Sequence, residues 1–178
     1  MMDFFKKFKD VEEQKRAALG EKSELEIMLE KNGNKPVLVF SYNRIGKYET
    51  GIYGDGKLLV INHRDYQWSN NSKAEFMQAY LQAFGLTDPL QIADKIERVD
   101  IYIGGGEKGK LGTLEAAAEI AGKPEKLRIY YCSCAERILD GLFDKFPKAK
   151  FYKVKCGGRE AMEAICKKIA KPEEKNEP

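Results

Sequence analysis

Between Val99 and Glu115 a run of β-branched and aromatic residues enters Gly104-Gly105-Gly106-Glu107-Lys108-Gly109-Lys110-Leu111-Gly112 and leaves through Thr113 into a helical pattern. Glycines let backbone N–H groups approach an anion closely, and the first turn of a helix offers unpartnered N–H groups at the positive end of its dipole. The chemistry such a segment suits is capture of a phosphate. Its ligand-binding set is Gly104, Gly105, Gly106, Lys108, Gly109, Lys110, Gly112 and Thr113, with Glu115 as the acid–base residue if a reaction follows. A ligand-free strand-to-helix loop also uses glycine to relieve strain, and that reading stands beside the first. A second group, Cys132-Ser133-Cys134, puts two thiols at a strand-to-helix junction. A helix start lowers a thiol pKa and favours redox or metal chemistry, whereas two partly buried cysteines act only as small hydrophobes. A third, His63-Arg64-Asp65-Tyr66-Gln67-Trp68, collects a base, an acid, an amide and two aromatics that could rim a nucleobase.

Gly104 to Lys110 nearly spells the P-loop G-x-x-x-x-G-K-[S/T], but Leu111 stands where the metal-binding hydroxyl belongs. Gly-Gly-Gly followed by Gly112-Thr113-Leu114-Glu115 resembles the P-G-G-x-G-T-x-x-E signature of LOG-type nucleoside-monophosphate phosphoribohydrolases. That resemblance implies phosphate binding by Gly105, Gly106, Gly112 and Thr113 and a ribose-directed Glu115. Five intervening residues and a Glu one position early depart from the pattern. Residues 99–155 also resemble the cytidine-deaminase-like superfamily, including its bacterial toxin branch, in which two Cys open a helix that leads through a Pro turn to a strand. This implies Cys132 and Cys134 as metal ligands and Thr113-Leu114-Glu115 in the H-x-E place. The thiols here are spaced C-x-C rather than C-x-x-C, and Thr113 cannot replace a His ligand. Zinc is thus left open but not favoured, and the cofactor is unassigned.

Positioning these groups falls to elements readable from periodicity. Phe4, Phe5, Phe8 and Val11, then Leu25, Met28 and Leu29, repeat at helical spacing across Gly20, which predicts a helical arm over residues 1–31, either packed on the domain or offered to a protein partner or a membrane surface. Strands are expected at 37–42, 48–53 and 57–62, the last two joined at Gly54-Asp55-Gly56. Ser72 with Glu75 forms a capping-box pattern opening a helix that Gly85 closes. Pro89 opens a short helix over 88–97. Strand 99–103, helix 113–121, strand 127–132, helix 134–145, strand 149–155 and helix 159–170 then alternate as parallel βαβ units do. Residues 171–178 read as a disordered tail.

The expected fold is α/β: one domain over 36–170, its mixed sheet beginning with an antiparallel hairpin and continuing as βαβαβα. A length of 178 residues suits one substantial core. With 31 basic and 28 acidic residues the net charge is +3, too mild to indicate nucleic acid. Apolar runs fall far short of the roughly 20 residues of a membrane span, and charge interrupts the N-terminal apolar stretch, so a cytoplasmic location is expected. Four cysteines (Cys132, Cys134, Cys156, Cys166) without other marks of a stapled scaffold read as thiols. The functional expectation is binding, with or without processing, of a nucleotide or related phosphate-bearing small molecule at the glycine loop. The alternatives are a deaminase-like fold, degenerate or zinc-dependent, and a protein-interaction or immunity module without a small ligand.

Overall fold

The computed structural model describes residues 18–31, 33–42, 47–65, 73–104, 110–155 and 165–169. Its strands are β1 (Val37–Tyr42), β2 (Lys47–Gly54), β3 (Lys57–Asp65), β4 (Arg98–Ile103), β5 (Leu127–Tyr131) and β6 (Lys150–Lys153). Its α-helices are α1 (Glu24–Glu30), α2 (Lys73–Phe84), α3 (Lys110–Ala121) and α4 (Leu139–Lys145), with 3₁₀ turns at Pro124–Lys126 and Ser133–Ile138. The six strands form one mixed sheet in the order β3-β2-β1-β4-β5-β6. β1, β2 and β3 make an antiparallel meander, while β1, β4, β5 and β6 run parallel. The expected α/β architecture is therefore the observed one.

The meander is tight because Asp55 and Gly56 both adopt positive φ, at 50° and 75°, the two-residue turn whose twist matches the strands it joins. Alternation along each strand then sorts side chains to two faces. Leu38, Phe40, Ile52, Val99, Ile101, Ile103, Leu127 and Ile129 face one side, where α2, α3 and α4 cover them. Phe40 is the hub of that layer, with ring centroids 5.0 Å from Phe76 and 6.1 Å from Tyr80. Ala116, Ala117 and Ala121 bring α3 close to the sheet. Val37, Val39, Tyr53, Tyr102, Tyr130 and Cys132 face the other side and pack with Ile165, Cys166 and Ile169.

α1 starts at a complete capping box, Ser23 with Glu26, and its Leu25, Met28 and Leu29 pack against the helical-face core. This segment of the expected arm packs on the domain, while residues 1–17 lie outside the described residues. α2 ends as expected at Gly85, where the Leu86 amide donates to the Leu81 carbonyl at 2.8 Å. Its proposed cap, Ser72, lies outside the described residues.

Several expectations change. Residues 88–97 form successive turns instead of a helix: the amides of Gln91, Ala93 and Lys95 each reach back three residues, and the Asp88 carboxylate takes the Leu90 amide at 2.7 Å. Lys126 and Lys35 capture carbonyls of this segment from outside, so the lost helical bonds are replaced by side chains. α3 starts three residues earlier than predicted, at Lys110. Helix 134–145 divides into a 3₁₀ turn and α4, consistent with the poor helix propensity of Ser and Cys at its start. β3 continues through Asp65, placing His63 and Arg64 within a strand. Of helix 159–170, residues 165–169 are described and helical.

Candidate functional site

Sheet register brings the three chemical groups to one edge of the sheet. Arg64, Tyr48, Tyr42, Ile103, Tyr131 and Lys153 stand in a single row across all six strands. That row marks the carboxyl edge of the parallel strands. His63 to Asp65, Gly104 with the start of α3, and Cys132 with Cys134 all belong to this edge, although they are distant in sequence. At strand spacings of about 4.8 Å, β3 and β4 lie roughly 14 Å apart.

The edge also contains a reversal of chain direction. From β1 the chain steps to β2 on one side, and from β4 it steps to β5 on the other, so the carboxyl ends of the parallel neighbours β1 and β4 form a topological switch point. Open α/β sheets bind ligands at such crevices because the flanking loops part there. The glycine segment leaves β4 at this point and enters α3.

Described members of the loop have distinct surroundings. Gly104 is buried, and a Cβ built on it would lie 2.8 Å from the Tyr102 hydroxyl oxygen and 2.9 Å from Cε1 of the same ring. Close approach to Tyr102 thus requires glycine at this position independently of any ligand. Residues 105–109, which include Gly105, Gly106, Lys108 and Gly109, lie outside the described residues. Lys110, Leu111 and Gly112 form the first turn of α3, so their amides are among those a helix leaves without intrahelical partners. Thr113 is buried at 1% exposure, and its hydroxyl lies within the protein. Glu115 forms an ion pair with Lys145, which joins α3 to α4.

Cys132 is buried beside Ile165 on the second face, whereas Cys134 is exposed. Among the described residues no group of three or more His, Cys, Asp and Glu could hold a metal ion. The two thiols therefore have no described third ligand of the sort zinc requires. No helix among the described residues is long and apolar enough to cross a membrane.

The structure also reveals a charged cluster on the second face. Asp100 is fully buried in β4; Arg98 Nε donates to its Oδ1 at 2.9 Å and the Tyr130 hydroxyl donates to its Oδ2 at 3.0 Å. Burial pushes the Asp100 carboxyl above the usual range, while the guanidiniums of Arg98 and Arg128 and the Tyr130 hydroxyl pull it back. Burial opposes the charge on Arg98, but Asp100 and Glu97 outweigh it and hold its pKa above the ordinary value. Burial, then the adjacent Asp100, pushes the Tyr130 phenol up as well. Tyr130 stacks on Tyr152 at 5.2 Å, and Lys168 Nζ lies 4.8 Å from the Tyr152 ring centroid. With every described partner satisfied, this cluster reads as a tie between sheet and C-terminal helix. Its signal in the sequence was one Asp in a strand of Val, Ile and Tyr, with an Arg two residues earlier and hence on the same face.

No protein-family model matches the chain, and no curated protein matches it significantly. Among solved structures, S. cerevisiae Dom34, described as a translation termination-like factor involved in RNA quality control pathways and interacting with Hbs1, aligns over 82% of this chain and 34% of its own, at 10% identity and a TM-score of 0.42. Archaeoglobus fulgidus Pelota aligns over 84% of this chain and 38% of its own, at 12% identity and a TM-score of 0.35. This chain spans little more than a third of either structure. Likenesses at these scores carry no functional argument.

Proposed function

We propose that this protein binds a nucleotide or related phosphate-bearing small molecule at the carboxyl edge of its sheet, between β1 and β4. One observation carries the reading: the glycine-rich segment joins β4 to the N-terminus of the 12-residue α3 at the switch point of the sheet. The phosphate would be held by amides of the loop and of Lys110 to Gly112, with Lys108 and Lys110 adding charge. Thr113 would fix the first turn of α3 from the interior instead of touching the ligand. Glu115, engaged with Lys145, would set α3 against α4, and no reaction need be assigned to it.

Thermal denaturation with inorganic phosphate and with nucleoside mono-, di- and triphosphates tests this. A ligand present at about 100 times its Kd adds about 2.7 kcal/mol, which for a domain of this size raises Tm by roughly 5–10 °C. Lys110→Ala and Gly106→Val should reduce or abolish that rise while leaving the ligand-free melting point nearly unchanged. A panel with no rise anywhere sinks the reading.

A further inference from the structure

We draw no further inference here: the strongest candidate, the apolar edge strand β3, bulged where its pairing with β2 shifts register, carries nothing because nothing in the structure shows what covers it.

Discussion

At one end of the sheet β3 runs nine residues with four apolar side chains in succession, none of them buried; at the other, β6 runs four residues with Lys150 and Lys153 at its limits. The β6 end is held by polar and aromatic contacts: Asp100 ties Arg98 to Tyr130, Tyr130 stacks on Tyr152, and Lys168 lies over that ring. Nearby lysines meet carboxylates from other elements, Lys145 with Glu115, Lys148 with Glu125 and Lys153 with Glu136. At the β3 end, Leu59 and Ile61 pack on the helical-face core, as do Leu25, Met28 and Leu29 of α1, while Lys57 pairs with Glu24 and Lys31 with Asp55. One sheet thus ends in a short, charged strand on one side and, among the described residues, in a long, bulged strand on the other. The difference teaches which contacts hold each side: buried polar pairs and ring stacking toward β6, apolar packing and surface ion pairs toward β3.

The largest effect should come from the buried carboxylate of β4, two strands in from the charged end. Asp100→Ala leaves the nearly buried Arg98 without its carboxylate partner and Tyr130 without an acceptor, and it should destabilise the fold by about 3–5 kcal/mol in chemical denaturation. A loss under 1 kcal/mol would show that this end depends on packing, as the other does. Between the two ends, Gly104→Ala drives a methyl group into the buried Tyr102 ring and should cost about 1–3 kcal/mol by the same measurement, with or without ligand. Tyr152→Ala removes the stack on Tyr130 and the contact with Lys168. It should cost about 1–2 kcal/mol and increase amide exchange in residues 165–169.

The smallest effect belongs to the apolar end. Hydrogen bonds from the backbone and side chain of Ser23 hold the Glu26 carboxyl below its ordinary value of 4.5. A carboxyl depressed on folding stabilises the native state fully above its unfolded value, and that stabilisation disappears as pH falls through the lower folded value. Amide exchange in α1 should accordingly rise below pH 4.5, with no matching change around Tyr152. Glu26→Gln should remove this pH dependence.

Legibility differed among elements for physical reasons. Val37–Tyr42 was bounded to the residue because the Asn32-to-Pro36 turn residues precede a strand with clear β propensity. The hairpin at Asp55-Gly56 and the close of α2 at Gly85 were legible because few sequences tolerate those backbone geometries. The segment 88–97 misled, since Pro89 and spaced apolar residues suit a helix, whereas Asp88, Lys35 and Lys126 satisfy its backbone from side chains distant in sequence. The start of α3 was set too late because glycine and lysine carry little periodic signal, although a helix can run through them once Leu114 and Ala117 are anchored on the sheet.

By itself the sequence determined the class of fold, the order of its six strands, and which short segments gather glycines, thiols and a base, because periodicity, turn residues and composition are local properties. Tertiary structure alone decided which segments share an edge, since His63, Gly104 and Cys132 are aligned along it only through the register of five strands. It also decided that Thr113 faces inward, that Glu115 is bound to Lys145, and that Asp100 is buried among cations. Burial and charge pairing depend on neighbours brought together by folding, which a local pattern such as Arg98 two residues before Asp100 points toward but does not fix.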